Sequence, residues 1–189
     1  MIPAALACMI GVWSASATDI PTAVNKAHDW LVSVRYTSGL LNSQADLPQV
    51  SYTYDNAVAA CAFIALGDTA NARLVLAGMQ SLQDTSGAWY TAYDSKGRVV
   101  DGKQKWVGPC AWVVIAMARY REATGSVRFD SSARACIAWE LRCRNADGTL
   151  WTYSVDDKAT YTSTEENQDA YAGLSPSDTS RKPQGSGPT

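Results

Sequence analysis

KAHDWLVSVRYTSGLL (Lys26–Leu41), VLAGMQSLQDTSGAWY (Val75–Tyr90) and CIAWELRCRNADGTLW (Cys136–Trp151) are three versions of one pattern. In each, an amphipathic stretch runs into a loop where Gly is followed closely by aromatic or aliphatic residues. The glycines, Gly39, Gly87 and Gly148, stand 48 and 61 residues apart. Self-similarity at this scale marks an array of like supersecondary units, each stacked on its neighbours.

Between the copies lie two almost wholly apolar stretches, AVAACAFIAL (Ala57–Leu66) and CAWVVIAMA (Cys110–Ala118). They are Ala-rich and edged by Gly or Pro, and they read as helices buried on all sides. Gly67 ends the first, and Pro109 opens the second with Gly125 beyond its end. A more polar helix follows each: Thr69–Gln83, capped by Asp68 or Thr69, and Ser131–Arg144, capped by Asp130 or Ser131. The order is therefore buried helix, short turn, amphipathic helix, long loop, and again. The buried helices form an inner layer and the amphipathic ones an outer layer. The loops 84–107 and 145–162 are long enough to carry function or small structure of their own. Short strands are expected near Ala88–Tyr93 and Leu150–Val155.

The chain has 189 residues, 47% of them hydrophobic, which suits a packed domain over residues 18–174. A net charge of −2 gives no basic footprint for nucleic acid. No apolar run reaches the ~18 residues of a membrane span. The opening MIPAALACMIGVWSASA, residues 1–17, ends in Ala15-Ser16-Ala17 and reads as a signal peptide, which predicts a secreted or periplasmic protein. Residues 175–189 (SPSDTSRKPQGSGPT) lack any apolar anchor and are expected to be a disordered polar tail. Cys61, Cys110, Cys136 and Cys143 each sit in an apolar helical stretch, as buried free thiols do. With His28 the single histidine, a zinc site and Ser-His-Asp chemistry are both poorly served. Nothing in the chain names a cofactor or a metal.

Thr53-Tyr54-Asp55-Asn56, then Trp106-x-Gly108-Pro109-x-Ala111-Trp112, then Ser163-Thr164-Glu165-x-Asn167-x-Asp169-Ala170-Tyr171 follow one another along the chain. In this order they resemble the six-hairpin, (α/α)6-toroid glycosidase-like proteins of bacteria, over roughly 21–174. The resemblance implies an all-α fold of repeated hairpins, here about three of six, with short β pieces in the loops. It implies a carbohydrate cleft at one end of the ring and an oligo- or polysaccharide as partner, with a second chain as one way to complete the toroid. One departure stands out: where Glu166 lies, related sequences often carry His.

Glycoside hydrolysis needs two carboxyl groups, one to protonate the leaving oxygen and one to attack the sugar or activate water. The resemblance puts Asp55 and Glu165 forward as that acid/base pair, Glu166 and Asp169 as substrate contacts, and Tyr54, Trp89, Trp106 and Trp151 as stacking faces. Capping accounts for some of the same residues. Asp55 suits the N-cap of the first buried helix, and Thr162-x-x-Glu165 and Ser163-x-x-Glu166 both fit a capping box. Lys96, Arg98, Lys103 and Lys105 form a basic loop cluster, a solvated surface or a contact for an anionic sugar. The leading expectation is a glycoside hydrolase-like enzyme. The alternatives are a non-catalytic carbohydrate-binding or truncated toroid fragment, or a helical-repeat protein-interaction module.

Overall fold

The computed structural model describes residues 19–44, 49–100, 102–151, 153–155, 158–159 and 161–175. The expected signal peptide and nearly all of the expected polar tail lie outside them. Six helices carry the fold: α1 (Asp19–Ser33), α2 (Thr53–Ala65), α3 (Thr69–Leu82), α4 (Val107–Thr124), α5 (Asp130–Arg142) and α6 (Thr164–Leu174). Short strands precede or follow them: β1 (Val50–Tyr52), β2 (Ala92–Asp94), β3 (Gln104–Trp106), β4 (Tyr153–Val155) and β5 (Lys158–Ala159).

Helices α2, α4 and α6 form the inner layer, with α4 between the other two. α3 packs across α2 and α4, and α5 packs across α4 and α6, so inner and outer helices alternate along an arc. The apolar stretches account for this. α2 and α4 are apolar around much of their circumference, and α4 buries Val107, Cys110, Ala111, Val113, Val114, Ala116, Met117 and Tyr120. Phe63, Val75, Leu76, Met79, Trp89 and Phe129 complete the core at 0–2% exposure. Each such side chain contributes roughly 1.5–3 kcal/mol by leaving water.

The three turn glycines adopt one conformation, with φ of +93° at Gly39, +95° at Gly87 and +93° at Gly148, a region that only Gly enters cheaply. In each turn the glycine N–H donates three residues back, to Tyr36, Asp84 and Asn145 in turn. Those residues donate in turn to Leu40, Ala88 and Thr149. The side chain at the fourth helical position of the inner helix that follows then grips each turn. Asn56 Oδ1 accepts from Leu41 N–H at 2.9 Å, and Asn167 Oδ1 accepts from Leu150 N–H at 2.7 Å. In the middle copy a thiol replaces the amide: Cys110 Sγ accepts from Trp89 N–H at 3.5 Å and faces the Trp89 carbonyl at 3.6 Å.

The long loops are knitted to one another. β1 pairs antiparallel with β2 (Val50 opposite Asp94), and β3, β4 and β5 form an antiparallel sheet with Trp106 opposite Tyr153. Thr91 donates to Gln104 O at 2.8 Å and accepts from Thr53 N–H at 2.9 Å, joining β3 to the start of α2.

Several helix ends depart from the sequence reading. α2 begins at Thr53 with Tyr52 as N-cap, so Asp55 is its third residue and not a cap. α4 begins at Val107, which places Pro109 third; this is tolerated because the first four N–H groups of a helix have no partner within it. Phe129, not Asp130 or Ser131, is the N-cap of α5. Asp68 does cap α3, accepting from Asn71 N–H at 3.0 Å. His28 ties α1 to the next hairpin: its Nε2 lies 2.8 Å from Asp68 Oδ2 and its ring stands edge-on to Phe63. Asn71 and His28 together hold the Asp68 carboxyl down to about 2. Cys61, Cys110 and Cys136 are free and buried within helices, and Cys143 is buried at the C-cap of α5. No helix of the described residues is long and apolar enough to cross a membrane.

Candidate functional site

All three inner helices begin at the same end of the arc, directly after the long loops. Their N-termini bring a partial positive charge to that end, which favours carboxylates in the first turns. There the structure collects Tyr54 and Asp55 on α2, Gly108 and Trp112 on α4, and Glu165, Glu166 and Asp169 on α6.

Glu166 is the buried member, at 8% exposure. Its Oε2 accepts from the Gly108 N–H across the α4–α6 contact. Burial pushes its carboxyl up to about 7; the Gly108 N–H opposes that shift, and the Asp169 and Glu165 charges add to it. Asp169 is also raised, chiefly by burial and then by Glu165, against a hydrogen bond from the Trp112 side chain. A Cβ placed on Gly108 would stand 2.8 Å from Glu166 Oε2 and 2.9 Å from Asp169 Oδ2. Glycine at 108 therefore makes room for both carboxyls, and the two oxygens lie no farther apart than the sum of those distances.

Beside this pair, Tyr54 and Trp112 meet edge to face at 5.9 Å, with Tyr54 44% exposed. A hollow of about 280 Å³ runs along α4 and α6 from Asp169 and Trp112 past Ile115 and Arg119. A second, of about 310 Å³, opens beside Tyr54 and Asp55, walled by Trp30, Leu41 and Val58. Asp55 is half-buried and Glu165 exposed; they sit on α2 and α6, the two helices that flank α4.

The aromatic candidates divide. Trp89 is a correction: it is wholly buried and its indole donates to Met79 O at 2.6 Å, so its ring has no face for a ligand. Trp151 is half-buried against the core, its indole donating to Asn145 Oδ1 at 2.6 Å within its own turn. Trp106 is half-buried, with its indole 3.4 Å from Gln104 Oε1. Neither capping box forms. Ser163 is the N-cap of α6 without a side-chain bond, Glu166 turns to Gly108, and the Thr162 hydroxyl accepts from Asn145 Nδ2. The basic cluster is also partly spent inside the chain. Lys105 is buried on Asp84 at 2.8 Å and over the Tyr90 ring, and Arg98 pairs with Asp94 at 2.6 Å. Among the described residues no group of three or more His, Cys, Asp or Glu could hold a metal ion.

Trp112 and Gly108 escape the residue-by-residue reading, although both lie in the quoted Trp106–Trp112 motif. The available signal was the missing side chain at 108 opposite an acidic pair.

An arc of alternating inner and outer helices, with the loops gathered at one end, defines part of an (α/α)6 toroid. No protein-family model and no curated protein matches the chain. Solved structures do match in fold. A possible member of the GH105 family from Salmonella enterica matches with a TM-score of 0.64 at 16% identity, over 82% of this chain and 46% of that one. Endoglucanase Cel10 from Klebsiella pneumoniae, a family 8 glycosyl hydrolase, matches with 0.59 at 16% identity, over 68% and 44%. A sugar epimerase from a ruminal bacterium matches with 0.58 at 16% identity, over 82% and 46%. The chain is thus similar to glycosidase toroids in fold and spans less than half the length of each.

Proposed function

We propose that the loop end of the arc binds an oligo- or polysaccharide and hydrolyses a glycosidic bond, with Glu166 as the proton-carrying carboxyl. The observation that carries the reading is Glu166 itself: a nearly buried carboxyl at about 7, beside a second raised carboxyl that the Trp112 side chain bonds. A group with this pKa still holds its proton near neutrality, as a general acid must. Asp169 takes the second role. The bound on the Glu166–Asp169 distance is shorter than the roughly 6.5–9.5 Å of an inverting pair. In this reading the Asp169 carboxylate attacks the anomeric carbon as the C–O bond breaks, and the Glu166 proton passes to the leaving oxygen. Water, deprotonated by Glu166, then releases the sugar. Tyr54 and Trp112 supply the stacking surface. Asp55 and Glu165 become contacts for sugar hydroxyls in place of the acid/base pair the resemblance implied.

A second reading has one observation in its favour: the Glu166–Gly108 bond also ties α6 to α4, as a structural clamp in a non-catalytic sugar binder would. One experiment separates the two. Hydrolysis of glucans, mannans and uronans is followed against pH for the native chain and for Glu166→Gln, with glycan binding measured by calorimetry. The catalytic reading expects a loss of about a hundredfold or more, the scale of a general acid, and disappearance of the limb near pH 7. Binding without hydrolysis in both proteins would establish the binder instead.

A further inference from the structure

Two of the three turn glycines are matched to the outer helix that comes next, at a fixed register. A Cβ on Gly39 would run into the Leu74 carbonyl on α3, and one on Gly87 would run into the Ala135 carbonyl on α5. Leu74 stands thirteen residues before Gly87, and Ala135 thirteen before Gly148. Gly148 has the same backbone and the same turn bonds, yet among the described residues a Cβ there would meet nothing within 4 Å. Among the described residues, no outer helix is seated against this third turn.

The other end of the arc shows the converse. α1 is an outer helix, and thirteen residues before its own turn glycine stands Lys26. α3 and α5 each span two inner helices, whereas α1 is tied through His28 to Phe63 and Asp68 of a single hairpin and buries none of its residues. Ile20 and Val24 nevertheless stand one turn apart on the side of Leu31, which packs on the chain's own core, and are 61% and 38% exposed. One edge has a turn shaped for an outer helix, and the other has an outer helix lacking its second inner neighbour.

We infer that two copies of this chain close one ring. The α1 of each copy packs against the Gly148 turn and the open flank of α6 of the other, with the backbone at Lys26 of the partner subunit against Gly148. The contact repeats one that the chain already makes twice within itself. Three hairpins per copy give the six of a full toroid. The arrangement is two-fold and closed, so each copy offers both edges and neither is left over. It also turns the Glu166, Asp169 and Trp112 face of one copy toward that of the other across a shared opening. The pairing does not depend on what the site does.

Sedimentation velocity on the full chain tests this, up to about 100 µM, where even a micromolar interface registers. The expected species has twice the 20.3 kDa of one chain. Two variants then break opposite edges: Ile20→Asp with Val24→Asp on α1, and Gly148→Asn at the turn, Asn being the residue that best tolerates positive φ. Each alone is expected to be monomeric, with native circular dichroism. Mixed one to one they should form a dimer again, because an intact α1 and an intact Gly148 edge can still meet at one of the two interfaces. A native chain that stays at the mass of one copy overturns the inference. So does a ladder of larger oligomers, the mark of an interface that does not close, or a mixture that stays monomeric.

Discussion

α4 and α6 are both inner helices, begin at the same face and grip their turns from the same position, yet they are buried very differently. α4 buries nine of its eighteen residues and α6 two of its eleven. The outer layer repeats the contrast, since α3 buries five residues and α1 none. Composition does not explain this, because α1 carries an apolar stripe like that of its counterparts. Position along the arc does: the centre has neighbours on both sides and the ends have them on one. In such an array a repeat takes much of its stability from the interface with the next repeat.

The sharpest way to break the contrast is to truncate a tryptophan at each place. Trp89→Ala removes a wholly buried ring and strands the Met79 carbonyl, and should cost about 3–5 kcal/mol. Trp30→Ala, at the half-exposed edge, should cost under about 1 kcal/mol in the isolated arc. Urea denaturation of both variants measures the difference, and equal losses would erase the distinction between centre and edge.

Two buried carboxyls extend the test to pH. Glu140, on α5, is wholly buried; its Oε1 lies 3.6 Å from Cys136 Sγ, and its Oε2 has no hydrogen-bond partner among the described residues. Burial raises it from 4.5 to about 8. Folding therefore takes up a proton between those values, and stability falls as pH rises through that window. The fall should be on the order of 3–5 kcal/mol between pH 5 and 9, and Glu140→Gln should flatten it. Glu166, at the open face and at about 7, should add a shallower fall that ends sooner. Melts across pH for the two Gln variants would separate the contributions.

The turn glycines give a finer comparison. Gly87→Ala meets both left-handed strain and the Ala135 carbonyl, and should cost about 3 kcal/mol or more. In a single copy, Gly148→Ala meets the strain alone among the described residues, at about 1–2 kcal/mol. The smallest contrast concerns the clamps. Asn56→Ala leaves a buried Leu41 N–H unpaired, at about 1–3 kcal/mol, while Asn167→Ala, half-buried, should fall at or below the low end. Amide exchange at Leu41 and Leu150 reads both directly.

Much of the helical frame is legible in the sequence because it rests on period and punctuation. The apolar stretches, Gly67, Gly125 and the repeated turn glycines fix where inner and outer helices lie. The site is less legible. Asp55 reads as a cap only if α2 starts late, and three residues of β1 pairing bring that start forward to Thr53. The clamp is hidden in the middle copy because Cys110 does there what Asn56 and Asn167 do elsewhere. Trp89 looks like its half-buried counterparts Trp106 and Trp151 in sequence, since only the fold decides how far a loop residue turns into the core. Lys105 reads as a solvated loop cation, yet it is buried and its half-buried partner Asp84 stands twenty-one residues away. Gly108 shows its purpose only when Glu166 and Asp169, from a distant helix, arrive beside it.

The bond pair at Thr91 has a mechanical consequence. Its carbonyl holds the first turn of α2, and its N–H holds β3, which leads without a break into α4. Tension applied at either loop is therefore delivered to two inner helices at once, through main-chain bonds that no side-chain substitution removes. A molecule wedged between the loops would work against this rivet, and the helix starts on either side of it would be displaced as one piece.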